Sequence, residues 1–258
     1  MQPEVDVGWV RQRLLRSEVL LVLGVSLGAS AIWALLNIIN RLTYVEPLAQ
    51  QTATMNASVT PDRPWLDLAY KLAEVLLGVV PALFAVHLLR RDHPNARGLL
   101  GLDLGRPKFD LLAGAGLAAL IGIPGLGLVF AARQLGVSAQ IVPAALAPVW
   151  WAVPVLVLAA VQNAVLEEVV VVGYLLTRLR ELGWGAWPAI AVSAVLRGSY
   201  HLYQGFGGFV GNAAMGVFFG YFYQRTRRVA PLVVAHAILD IVAFVGYALL
   251  KDKLSLLR

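Results

Sequence analysis

The chain contains no cysteine. Disulfides and thiol catalysis are therefore excluded, although a cysteine-free chain fits either side of a membrane. Charge is also scarce. Asp, Glu, Lys and Arg make up 14% of the 258 residues, whereas soluble domains carry about 25%. Hydrophobic residues reach 59%, and the mean hydropathy is +0.72. A soluble globular domain does not have this composition. The net charge of +6 gathers between apolar runs rather than along a groove-reading element, so it does not describe a nucleic-acid surface. No repeat of fixed period and no low-complexity segment is present. The N-terminal stretch has no A-x-A-like cleavage site before the first apolar run. Residues 1–18 thus read as a tail before an uncleaved span.

What is abundant is apolar sequence of spanning length. Runs at about 19–39, 66–89, 110–131, 149–177, 186–204, 208–224 and 231–250 each reach the roughly 18 residues a bilayer requires. The fold class is all-α, a polytopic transmembrane helical bundle of seven or eight helices. Basic residues mark one set of loops: Arg11, Arg13 and Arg16, then Arg90, Arg91, Arg97, Arg106 and Lys108, then Arg178 and Arg180, then Arg225, Arg227 and Arg228. The alternate loops hold only Arg41, Arg63 and Arg133. The positive-inside rule then places the N-terminus in the cytoplasm. Seven spans would leave Lys251, Lys253 and Arg258 outside, and a further half-span within 140–165 would return them. The loop 40–65 is the longest connection. The glycine-rich segment 97–109 is too short to span and reads as interfacial.

Several polar residues sit inside these runs. Glu167 and Glu168 lie deep in the fourth, where a carboxylate costs at least a few kcal/mol unless it faces a bundle interior. Asn163, Glu167 and Tyr174 share one helical stripe, and Glu168 lies about 100° round from it. Arg197 and His201 are four apart in the fifth run, and His236 and Asp240 four apart in the seventh. All can be satisfied together only by facing one another or water, so a shared cavity is the economical arrangement. A carboxylate with a histidine can activate water, and a second histidine can hold an oxyanion. The same groups suit a divalent metal or a proton relay. Arg197 reads as a counter-ion to Glu168. His87 and His93 read as solvated interfacial residues. Gly208, Asn212, Gly216 and Gly220 repeat every four residues, which lets helices approach closely. Asn212 could reach the cavity from that packed face. Counted at about 1.5 Å per residue, His236, Glu167 and His201 lie about 8, 15 and 22 Å deep, so depth alone does not establish one site.

Taken together, these residues resemble the CPBP family of intramembrane proteases, which includes CAAX proteases and bacteriocin-processing or Abi proteins. Its pattern is EExxxR on one helix, FxxxH on the next, and HxxxN or HxxxD on a late helix. Glu167-Glu168, His201, and His236 with Asp240 match it, over residues of about 150 to 245. The resemblance implies an intramembrane endopeptidase. Glu167 and His201 would activate water, with Glu168 in support. His236 and Asp240 would stabilise the oxyanion or complete the site. It leaves metal use open; a zinc ion would have Glu167, His201, His236 and Asp240 as ligands. Two positions depart from the pattern. The motif arginine falls on Val172, and the aromatic of the second motif falls on Arg197. The expectation is that the positive charge has moved across a helix interface to pair with Glu168, which marks a divergent subgroup.

The expected organisation is a cytoplasmic tail (1–18), accessory helices (19–145), a CPBP-like core (146–250) and a short C-terminal tail (251–258). Hydrophobic or membrane-anchored peptides would be the substrates and the lipid bilayer a partner, with no role for nucleic acid. Short loops and the lack of retention signals suggest a bacterial inner membrane. The rival readings are a non-catalytic immunity or scaffold protein that keeps the fold, and a proton-coupled transporter.

Overall fold

The computed structural model describes the backbone of residues 7–255 and the side chains of 8–250. The first six residues of the N-terminal tail and the side chains of Lys251, Lys253 and Arg258 lie outside the described residues. The chain forms an all-α membrane bundle. Its elements are α1 (Val7–Gly24), α2 (Leu27–Leu42), β1 (Thr52–Thr54), α3 (Pro64–Gly78), α4 (Val80–Asp92), α5 (Ala96–Leu100), α6 (Pro107–Gln134) and β2 (Gln140–Val142). They continue with α7 (Ala152–Glu167), a π-helical segment (Glu168–Tyr174), α8 (Leu175–Glu181), α9 (Ala186–Tyr200), α10 (Phe206–Thr226) and α11 (Ala230–Ser255).

Among the described residues, four helical stretches are long and apolar enough to cross a bilayer: Pro64–Asp92, Pro107–Gln134, Ala152–Glu181 and Ala230–Leu250. The number reaches five if α1 and α2 are one broken span, since they meet at a bend of 53°. This count differs from the seven or eight spans expected from the apolar runs. The run at 19–39 crosses the bend at residues 25–26. The runs at 186–204 and 208–224 fall on α9 and α10, which are not among the four. Arg197 and His201 interrupt the first run, and small or polar residues dilute the second. No separate half-span occupies 140–165. Its start is β2, and α7 begins at Ala152.

The stretch 152–181 is the central helix. In its most apolar window 56% of residues are buried, against 22%, 11% and 22% for the other three. Its valines and leucines, from Val169 to Leu179, anchor the main core with Leu89, Leu100, Phe219 and Leu232. Around it, α9 packs on α10, and α11 packs on α6 and α7. The outer faces carry Trp33, Leu77, Leu112, Leu120, Ile123, Leu126 and Phe130, all exposed. A water-soluble monomer does not present so continuous an apolar surface; a lipid-facing one does.

The two ends of the bundle differ. On one face the loops 43–63 and 135–151 meet. β1 and β2 pair in parallel, Thr52 opposite Gln140, and Ser138 bridges to Gly205. The opposite, arginine-rich face is tied by buried ion pairs. Arg178 is fully buried and joins Glu18 of α1 (2.9 Å), Asp92 of α4 (2.7 Å) and Glu181 of α8 (2.7 Å). His93, expected to be solvated, contacts Glu181 through Nε2 at 2.7 Å. The 97–109 segment, read as interfacial, is tied to the arginine-rich end of the bundle. Gly101 has φ +61°, and a Cβ there would meet Arg228 Cα at 2.5 Å. Arg228 then reaches Asp110 (2.7 Å) and Asp103 (3.0 Å).

This last clasp predicts a pH effect. The backbone N–H of Gly105, and next the Arg228 guanidinium, hold the Asp103 carboxyl below its ordinary value of 3.8. A depressed carboxyl stabilises the fold above its unfolded value and loses that contribution as pH falls through the folded one. Thermal unfolding of wild type should therefore fall more steeply than that of Asp103→Asn below about pH 4. Parallel curves would show that Asp103 carries no such role.

Candidate active site

The glutamate pair sits where the central helix changes its winding. Glu167 closes α7 and Glu168 opens the π-helical segment, whose sequence is EVVVVGY. Four consecutive β-branched valines crowd an α-helical turn, and a π turn inside an α-helix is often a functional feature. The change of pitch re-aims the side chains of the next two turns. Tyr174, expected on the stripe of Asn163 and Glu167, points instead to the arginine-rich face, where its hydroxyl donates to Glu18 at 2.9 Å.

Glu168 is fully buried and accepts from two helices. Arg197 Nη2 lies 2.7 Å from Oε1 and 2.8 Å from Oε2. His236 Nδ1 lies 2.7 Å from Oε1. The arginine missing at Val172 is thus matched by one arriving from α9. Gly216 permits that approach, because a Cβ there would meet Ala194 Cα at 2.8 Å. Arg197 is itself fully buried, and its guanidinium lies 5.5 Å over the Phe219 ring. Its Nη1 is 3.5 Å from Glu167 Oε2, yet Nη1 and Nε lack a hydrogen-bond partner. Glu167 instead accepts from the Tyr200 hydroxyl, 2.7 Å from Oε2.

His201 caps α9. Its Nδ1 is 3.0 Å from the Arg197 carbonyl oxygen. That oxygen only accepts, so Nδ1 carries the hydrogen and Nε2 is left as a lone-pair base. The ring lies against Tyr200 and Tyr203, with centroids 4.8 and 6.3 Å away. Asp240 lies at the other end of His236, 3.7 Å from Nε2, and Asn163 approaches its Oδ2 at 3.5 Å.

The structure therefore brings Glu167, Glu168, Arg197 and His236 into one buried cluster, with Asp240 at its edge and His201 beside it. Asn212 does not join. Its side chain donates to the Gly208 carbonyl of its own helix at 3.0 Å. Two partners were not expected from sequence. Tyr200 stands three residues after Arg197 and so shares its helix face. Asn163 was placed on the Glu167 stripe, but its link to Asp240 depends on how α11 packs on α7.

A metal would meet a different ligand set from the one expected. Ligand atoms of Glu167, Glu168 and His236 lie within 4.8 Å of one another. His201 and Asp240 are not part of that group. Two carboxylates and an imidazole fit a divalent ion in kind, and three protein ligands is the number catalytic zinc uses. Glu167 and Glu168 share one arginine, and Asp240 adds a third carboxylate at the edge of the cluster, which leaves room for added positive charge. Glu168 already bonds through both oxygens, so it would hold an ion only by giving up part of Arg197.

Residues 148–242 match the family model of type II CAAX prenyl endopeptidases, Rce1-like. This segment is similar to an Rce1-like endopeptidase domain. It encloses Glu167, Glu168, Arg197, His201, His236 and Asp240, and it agrees with the CPBP resemblance of the motifs. No curated protein and no solved structure matches the chain. The matched segment thus carries every polar group of the cluster, on α7, the π segment, α9 and α11.

Proposed function

We propose that the protein is an intramembrane endopeptidase whose general base is Glu167. The observation that carries this reading is the placement of a buried carboxylate, oriented by Tyr200 and Arg197, beside a Glu168–His236 pair inside an Rce1-like domain. Water gives its proton to Glu167 as its oxygen attacks the scissile carbonyl carbon. His201, with a free Nε2, assists. The oxyanion of the tetrahedral intermediate faces His236, which Glu168 and Asp240 hold in place. The C–N bond then breaks, and the proton returns to the leaving amine. Glu168 and Arg197 neutralise one another and keep the cluster folded. A divalent ion held by Glu167, Glu168 and His236 would polarise the carbonyl and acidify the water.

The catalytic core is 146–250, and the helices of 19–145 are accessory. The substrate is a hydrophobic or membrane-anchored peptide that enters from the bilayer. The protein resides in a bacterial inner membrane with its N-terminus in the cytoplasm, as the arginine distribution supports. The test is cleavage of a library of membrane-anchored peptides by purified protein in lipid. Wild type is compared with His201→Ala, each with and without chelator. Cleavage by wild type that falls at least tenfold in His201→Ala is the expected result. Loss of wild-type cleavage in chelator would add the metal. Equal cleavage by both proteins would refute the assignment of His201, and absence of cleavage throughout would favour a non-catalytic immunity or scaffold role.

A further inference from the structure

The accessory helices carry polar groups that the catalytic reading does not use. Asp67, Lys71 and Glu74 lie on α3, within the apolar stretch Pro64–Asp92. Glu74 is ten residues in, or about 15 Å along the helix axis. Lys71 Nζ contacts Glu74 Oε2 at 2.8 Å; the Lys71 side chain is 8% exposed, but that of Glu74 is 56% exposed. A carboxylate so open at that depth cannot face hydrocarbon without a large penalty. Whatever it faces is wet.

A cavity of about 150 Å³ lies at this point, between α3 and α7. Its polar lining is Asn56, Lys71, Glu74, Gln162 and Asn163. The volume is large enough for several water molecules, at about 30 Å³ each in the liquid, and the polar side chains of its lining offer them hydrogen-bond partners. One end is closed by Asn56 and Leu146, which belong to the loop face. At the other end is Asn163, whose amide approaches Asp240, and Asp240 adjoins His236. A row of polar side chains therefore runs from the β1–β2 face to the glutamate pair.

We propose that this cavity is a water vestibule, which brings the hydrolytic water to the Glu167 site from the β1–β2 face rather than from the arginine-rich one. Supply of the reaction rests on the peptidase reading above; the wet vestibule itself does not. On the arginine-rich side, Arg178 with its three carboxylates and the fully buried Leu100, Leu175 and Leu176 seal the bundle. On the other side the covering consists of a two-stranded ladder and short loops, and the groups that line the way in are hydrophilic.

The cysteine-free chain makes the test direct. Single cysteines are placed at Ala159, on the cavity wall, at Asn163, at its inner end, at Leu126, exposed on α6, and at Asn56 and Gly98 as markers of the two faces. Each full-length variant, reconstituted in sealed vesicles, is exposed to a charged, membrane-impermeant methanethiosulfonate, which needs water at the thiol. The expected result is labelling of Ala159→Cys and Asn163→Cys at least tenfold faster than Leu126→Cys, in the same vesicle fraction that labels Asn56→Cys. Rates equal to Leu126→Cys, or labelling that tracks Gly98→Cys, would overturn the proposal. The readout needs no substrate. A wet vestibule in a protein that cleaves nothing would refute the peptidase reading alone, and a dry one in an active peptidase would refute the vestibule alone.

Discussion

Glu167→Gln should lower peptide cleavage by a factor of about 100 to 10,000, the usual contribution of a general base, while the bundle stays folded. The substitution keeps the shape of the side chain and an oxygen for the Tyr200 hydroxyl, which lies 2.7 Å from Oε2. What it removes is the charge and the lone pair that takes a proton from water. Arg197 keeps its contacts of 2.7 and 2.8 Å with Glu168, so no buried charge is orphaned. The melting temperature should therefore move little. Tyr200→Phe separates orientation from base strength. It deletes one hydrogen bond to a carboxylate, about 1.5–3 kcal/mol, so the rate should fall at least about tenfold with the carboxylate still present. Cleavage by Glu167→Gln within threefold of wild type would remove Glu167 from the mechanism.

Arg197→Leu should have the opposite profile and act first on the fold. Arg197 and Glu168 are both fully buried. Removal of one partner of a buried pair costs about 3–5 kcal/mol, because the other is left as an uncompensated charge. A helix bundle of ordinary stability loses much of its margin at that cost. The double variant Arg197→Leu with Glu168→Gln removes the stranded charge and still offers His236 Nδ1 an oxygen. It should recover at least half of the lost stability, though not cleavage. Unfolding in mild detergent, monitored by circular dichroism, measures both. A double variant no more stable than the single would mean that Arg197 matters for its packing on Phe219 rather than for Glu168.

Much of the site could be read from residue order, and the reasons are physical. A carboxylate or arginine in a long apolar run has few tolerable places, so Glu167, Glu168, Arg197, His201, His236 and Asp240 announced a shared interior before any helix was placed. The likeness of their spacing to a protease pattern added the chemistry. The transfer of the motif arginine from Val172 to position 197 rests on the same electrostatics, because Glu168 could not remain alone. Other features had no such signal. An α-helical wheel assumes constant pitch, so it aligned Tyr174 with Glu167 and could not register the π segment between them. It likewise gave Asn212 a way to the cavity, whereas a side-chain amide within reach of a carbonyl one turn back bonds locally first. The runs at 186–204 and 208–224 read as spans from sequence, but α9 is only 15 residues long, and the glycines and Asn212 dilute the hydropathy of the 21-residue α10.

The sequence by itself determined that this is an all-α membrane protein, which polar residues must be inside, and the family that their spacing resembles. These come from composition and local period, since the cost of a charge in hydrocarbon does not depend on which helix lies alongside. The tertiary structure decided the rest. Pairing across interfaces made Tyr200 the partner of Glu167. It drew the possible metal ligands to Glu167, Glu168 and His236, and set Lys71 and Glu74 beside a cavity that ends at Asn163. Such contacts join residues up to about a hundred positions apart, and only the way helices pack side by side fixes which of them meet.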